Sequence, residues 1–260
     1  MTSAPRETIS TAIRAARREQ RPALIGFLTA GFPRRSRFRE DLAAVAAACD
    51  VVEIGVPFTD PMADGTTIQR ASFAALAEGV NLPWILAELS AVAPHLGAPV
   101  LLMSYLNPLL AYGLDRLPRD AAAAGVAGFI VPDLPFEESG DLAAALDREG
   151  LALVQMVTPV TPPARLAELC AAAQGFVYAV TMTGTTGKAA EIPADVLDYM
   201  DRVRKVSTVP VCAGFGIRSA AQVARFSGHV DGVVVGSALV EALERGENPG
   251  EFLASLRLRG

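Results

Sequence analysis

The chain has 260 residues, 51% hydrophobic and 20% charged, with a formal net charge of −5 spread along its length. That composition fits a globular protein with a sizeable core and argues against nucleic acid as a partner. No apolar run is long enough to span a bilayer and no apolar signal region opens the chain, so a cytoplasmic location is expected. In chain order, residues 5–18 predict a helix. Short β-rich apolar runs follow at 24–29, 51–55, 100–104, 128–131, 152–157, 176–181, 211–214 and 232–235. Between them, stretches such as 41–48, 115–124, 138–149, 163–173, 194–206 and 220–226 carry apolar residues at helical spacing.

Strand-then-helix alternation implies a parallel sheet, and nearly continuous apolar strands imply that both faces are covered. Eight such units and this length predict an α/β fold, a (β/α)8 TIM barrel. No Pro/Gly/Ser-rich linker divides it, so residues 1–260 are read as one domain, with the helix in residues 1–20 capping the barrel's base. A doubly wound open sheet is the second choice, but Thr29-Ala30-Gly31-Phe32-Pro33 after the first strand lacks the GxGxxG of a dinucleotide loop. Cys49, Cys170 and Cys212 are far apart, without a CxxC pattern, and read as packing residues. Arg34, Arg35, Arg37 and Arg39 form a basic cluster without interleaved aromatics, which reads as a solvated helix start.

The functional punctuation falls after strands, where barrel sites are built. Strand alternation sends Val52 and Ile54 to one face and Val51, Glu53 and Gly55 to the other. With helices outside, Glu53 points inward, where an unpaired charge is costly and an acid is commonly a working group. Asp60 and Asp64 follow in a Pro- and Asp-rich loop. Asp60 alone reads as a turn former; Glu53 with Asp64 reads as chemistry. Glycines near the ends of the last three strands, at Gly184/Gly187, Gly214/Gly216 and Gly236-Ser237, allow backbone N–H groups to approach an anion. A helix starting at Ser237 adds its positive end, and together these predict a monophosphate grip.

Other chemistries fit less well. The lysines are Lys188, in a loop, and Lys205, near a helix end, so neither suits a Schiff base on an inward strand position. His95 and His229 have no partner at metal-ligand spacing, so no metal is expected. No Ser or Cys nucleophile motif is present. A carboxylate pair working as general acid and base on a phosphorylated substrate remains, with Tyr178 on the sixth strand either adding a hydroxyl or filling the core.

The chain resembles the tryptophan synthase alpha chain family. Matching motifs are Phe27-Leu28-Thr29-Ala30-Gly31, the block 53–65, residues 103–108, Val131-Pro132-Asp133-Leu134-Pro135, residues 184–187, Gly214-Phe215-Gly216-Ile217 and Gly236-Ser237. They run in family order along nearly the whole chain. The resemblance implies retro-aldol cleavage of indole-3-glycerol phosphate to indole and glyceraldehyde 3-phosphate. It implies Glu53 as acid/base at indole C3 and at the glycerol hydroxyl, with Asp64 beside the indole N–H. Phe27, Leu102, Tyr105 and Phe215 would hold the indole, and Gly187, Gly216, Gly236 and Ser237 the phosphate. Thr186 would help to close the loop after the sixth strand. A pyridoxal-phosphate (PLP)-dependent beta chain is implied as partner, facing Pro57, Asp60, Asn107 and Pro108, so this chain needs no cofactor of its own.

The sequence departs from the family in Thr181-Met182-Thr183-Gly184-Thr185-Thr186-Gly187, where Ser commonly starts the loop. Lys188-Ala189-Ala190 also replaces the usual Arg. The catalytic pair is untouched, but loop closure and signalling to a partner become open questions. A stand-alone lyase releasing free indole and a non-catalytic phosphosugar-binding barrel are therefore the alternatives. An isomerase of a phosphorylated sugar amine would want acids on strands 1 and 5, which lack them.

Overall fold

A computed structural model describes residues 4–181, 192–214 and 216–257. Eight strands pair in parallel and in sequence order into a closed barrel. They are β1 (Ala23–Thr29), β2 (Val51–Gly55), β3 (Val100–Met103), β4 (Val126–Ile130), β5 (Ala152–Val157), β6 (Val177–Val180), β7 (Val211–Gly214) and β8 (Gly232–Val235). Helices α1 (Pro5–Arg18), α2 (Phe38–Ala48), α3 (Thr66–Ala77), α4 (Leu82–Val92), α5 (Leu106–Tyr112) and α6 (Leu117–Ala123) come from the first half. The second half supplies α7 (Gly140–Arg148), α8 (Pro163–Ala172), α9 (Ala194–Val206), α10 (Ala220–Phe226), α11 (Ser237–Glu244) and α12 (Pro249–Leu256). No helix among the described residues is long and apolar enough to cross a membrane.

Local chemistry starts these helices where backbone donors would otherwise be orphaned. Asn81 accepts from Trp84 N, Ser219 from Gln222 N, and Asn248 from both Gly250 N and Glu251 N. The (β/α)8 expectation holds, with shifts at the edges. β4 starts at Val126, directly after a turn in which Gly125 takes φ of 80°, and its register with β3 slips between Val100 and Leu101. Helices α3, α4, α5 and α12, not singled out in sequence, fill the outer layer. The arginine cluster is tied down rather than merely solvated. Arg35 lies 4.9 Å over the Trp84 ring, Arg37 pairs with Asp41 at 3.3 Å and Arg39 with Glu88 at 2.6 Å.

Two cores result from strand alternation. Leu24, Leu28, Val52, Ile54, Leu102 and Val211 face outward and bury against the helices. Ile25, Val51, Leu101, Val154, Phe176 and Cys212 face inward and fill the lower barrel. Ile9, Ile13 and Ala16 of α1 complete that inner cluster, so the N-terminal helix packs against the base. Arg6 N donates to Gly150 O at 3.0 Å, which docks the helix start beneath β5. Above this packed floor the interior is left to polar and aromatic side chains.

Candidate active site

Glu53 is the central residue of β2, paired in register between Phe27 of β1 and Leu101 of β3. It is 0% exposed, and neither carboxyl oxygen has a hydrogen-bond partner among the described residues. Burial pushes its pKa from 4.5 up to about 8, and the nearby charge of Asp64 adds to the shift. At neutral pH the group therefore keeps its proton in a site where nothing else holds it.

Asp64 stands in the loop between β2 and α3. The loop's shape is set by backbone and side-chain bonds: Asp64 N donates to Pro61 O at 3.1 Å, and Gln69 Nε2 donates to Asp64 O at 2.9 Å and Pro61 O at 3.3 Å. The Tyr105 hydroxyl accepts from Ala63 N at 2.9 Å and stands over the same loop. Burial raises Asp64 from 3.8 to about 6, while a hydrogen bond from Tyr105 works against the rise. The two acids thus differ in environment: one is sealed and protonated near neutrality, the other is part-exposed, bonded and ionised. That separation is what divides acid from base work in a single pocket.

Phe27, Thr29, Gly55, Asp64, Ile68, Met103 and Tyr105 line a narrow pocket beside these acids. Phe58 stacks on Tyr105 with ring centroids 5.2 Å apart, backing that wall. Gly55 is required for space: a Cβ there would lie 2.6 Å from Phe27 Cζ. Gly214 does the same for Tyr178, whose Cε1 would be 2.5 Å from an added Cβ. Tyr178 faces the same interior; burial, with the charges of Glu53 and Asp64, holds its hydroxyl pKa well above 10, so it stays a neutral donor. Thr29 Oγ1 is also buried without a hydrogen-bond partner among the described residues.

At the rim, Gly216 adopts φ of 70°, a left-handed conformation that disfavours any side chain. Gly236 directly precedes α11, whose first residue is Ser237, and an added Cβ there would be 4.0 Å from Phe27. The start of α11 therefore lies close to the aromatic wall. Arg218 forms a two-pronged pair with Glu241 of α11 at 2.7 and 2.9 Å, and Thr67 of α3 donates to the same carboxylate at 3.2 Å. These contacts lock the turn after β7 and the start of α3 to α11.

The structure brings Glu53, Asp64, Tyr178, Phe27 and Tyr105 to one interior and sets Gly216, Gly236 and Ser237 on its rim. Thr186, Gly187 and Phe215 lie outside the described residues. Two expectations are corrected. Leu102 belongs to the outer, helix-facing cluster, because β3 pairs Leu101 with Glu53 and Met103 with Gly55; Met103 takes the pocket position instead. Pro57 is buried within the chain, while Asp60, Met62 and Asn107 are exposed. Asn107 and Pro108 are in the first turn of α5 rather than a loop, and Asp133 accepts from Leu106 N at 2.9 Å to anchor that turn. Sequence reading missed Gln69, Met103, Thr29 and Arg218. A carboxamide one helical turn past the Gly65 cap is the only one of these signals visible locally.

Fold and site define a (β/α)8-barrel enzyme built around two carboxyl groups of unlike environment. The sequence profile of the tryptophan synthase alpha chain family matches residues 13–257. The chain is 46% identical over 250 residues to the tryptophan synthase alpha chain of Solidesulfovibrio magneticus, covering 96% of this chain and 98% of that one. It is 47% identical over 245 residues to that of Desulfovibrio desulfuricans, covering 93% and 96%. Among solved structures, tryptophan synthase from M. tuberculosis in an open form with BRD0059 bound superposes with a TM-score of 0.87 at 37% identity, covering 99% of this chain and 100% of that chain. The chain belongs to the tryptophan synthase alpha chain family.

Proposed function

We propose that Glu53 and Asp64 are the acid–base pair through which this chain cleaves indole-3-glycerol phosphate. Membership makes the chain a lyase of tryptophan biosynthesis that yields indole and glyceraldehyde 3-phosphate. Alpha chains of the family form a complex with a beta chain; PLP belongs to that subunit, and the alpha chain needs no cofactor. The observation that carries the residue assignment is the sealed, unpartnered Glu53 with its pKa near 8 beside Asp64 near 6.

In the proposed sequence, protonated Glu53 delivers its proton to indole C3. Positive charge then develops on the ring nitrogen, and ionised Asp64 stabilises it and accepts the N–H proton. Glu53, now a carboxylate, takes the proton of the glycerol hydroxyl next to the C3 side-chain bond. That bond breaks, its electron pair returns to the ring, and the hydroxyl carbon becomes the aldehyde. Asp64 hands its proton back to the indole nitrogen, so both acids end as they began. Desolvation keeps Glu53 a competent acid at neutral pH. Phe27, Met103 and Tyr105 supply flat apolar walls for the ring, with Tyr178 beside Glu53 as a neutral hydroxyl. Gly216, Gly236 and Ser237, with Gly187, hold the phosphate through backbone N–H groups and the start of α11. Thr186 and Phe215 complete the closed site.

The chain works as a single barrel domain in the cytoplasm, with Asp60, Asn107 and Pro108 on the partner-facing rim. The test is to mix purified chain with indole-3-glycerol phosphate and follow free indole, alone and with a beta chain. Release that rises with the partner supports this reading. Brisk release that the partner leaves unaltered makes it a stand-alone lyase, and no release in either case rejects the function.

A further inference from the structure

The base of the barrel, remote from the catalytic loops, carries a polar cavity of about 490 Å³ between α1 and the turn joining α9 to β7. Arg14 and Arg17 of α1 and Arg204 and Lys205 of α9 line it, against two acids, Asp201 and Asp231. Four cations thus meet in one concavity of a chain whose net charge is −5.

Both acids are already engaged. Asp231 is buried; its Oδ2 accepts from Val211 N at 2.9 Å, and its Oδ1 faces Arg17 at 3.1 Å and Arg204 at 3.9 Å. Asp201 pairs with His229 at 3.1 Å. The cations are less engaged. Arg14 makes one bond of 3.4 Å, to Thr208 O, and Arg204 adds one to Gly228 O. A guanidinium has five N–H donors, so most of the donors here have no described acceptor. Helix ends do attract basic residues, which accounts for Arg17, Arg204 and Lys205 at the last turns of α1 and α9. It does not account for Arg14, nor for two helix ends opening onto one cavity.

We propose that this basal cavity binds a small multivalent anion of the oligophosphate class. Arg17, held 3.1 Å from Asp231, and Arg14, Arg204 and Lys205 would supply the guanidinium and ammonium donors. Counted against Asp201 and Asp231, the four cations leave two net positive charges, divided between α1 and α9. On this proposal the two phosphoryl groups of a diphosphate divide between the α1 arginines and the α9 cations, whereas a lone phosphate sits on one set.

The test is calorimetric titration of the full chain with inorganic pyrophosphate at low ionic strength. Saturating glycerol 3-phosphate is present to occupy the catalytic glycine turns. One pyrophosphate per chain is expected, weakened at least tenfold in R14Q/K205Q, with indole release unchanged. R18Q/R202Q, which removes the same charge outside the cavity, should bind as the parent does. Protection of Lys205 from acylation by pyrophosphate, read by mass spectrometry on the parent, gives the same answer without a variant. The proposal is overturned by no binding, by binding that glycerol 3-phosphate abolishes, by equal weakening in the two double variants, or by an unprotected Lys205.

Discussion

Replacing Glu53 by Gln separates the charge of this residue from its shape. In the folded chain the carboxyl holds its proton to about pH 8, against 4.5 for a free Glu. Because folding raises this pKa, the linkage runs opposite to that of a salt-bridged acid. Its stabilising contribution is full below pH 4.5 and is lost progressively as pH rises toward 8. At ~1.4 kcal/mol per pH unit, that interval amounts to roughly 5 kcal/mol once the group is ionised. The amide of the variant has nothing to ionise, and groups away from Glu53 titrate alike in both proteins. The stability of Glu53→Gln relative to the parent should therefore be flat below about pH 4.5, rise by several kcal/mol, and level off above about pH 8. Urea unfolding at a series of pH values measures this directly. The same variant should release indole ~10² to 10⁴ times more slowly, the usual weight of a general acid. A stability difference that does not change between pH 5 and 9 refutes the idea that a sealed, proton-holding carboxyl sits at this position.

Three further outcomes are expected. If Asp64 must be ionised and Glu53 protonated, kcat/KM for indole release should be bell-shaped in pH, with limbs near 6 and 8; a profile flat across that span removes the pair from the mechanism. Gly55→Ala places a Cβ 2.6 Å from Phe27 Cζ, so it should cost ~1 to 3 kcal/mol by thermal melting and raise KM by displacing the ring. Leu102→Ala empties an outward, fully buried position and should cost ~2 to 5 kcal/mol while leaving KM near the parent value. A large KM change in that variant would return Leu102 to the substrate pocket.

Most of the barrel was legible because parallel strands covered on both faces must be apolar throughout, and the runs at β2, β5, β7 and β8 matched their observed extents. Glu53 was legible for the same reason: a charge inside such a run stands out, and its parity with Val51 settles its face. Leu102 shows where that logic fails. Val100-Leu101-Leu102-Met103 is apolar at every position, so nothing in the strand itself distinguishes inside from outside. Only pairing with β2 fixes the parity, through Glu53 opposite Leu101. The fastening of the site was invisible for a related reason. Gln69 beneath the Asp64 loop and Arg218 on Glu241 are bonds across elements, and neither residue type announces its partner. Trp84, brought by α4 to the ring of arginines near Arg35, was hidden in the same way.

With Ile9, Ile13 and Ala16 stoppering the floor, the barrel is a flask rather than a pipe. Among the described residues the base offers no way through, so a bound molecule and its fragments pass by the rim end. Any protein seated on that rim controls the traffic of both, and the helix at the far end makes its position decisive.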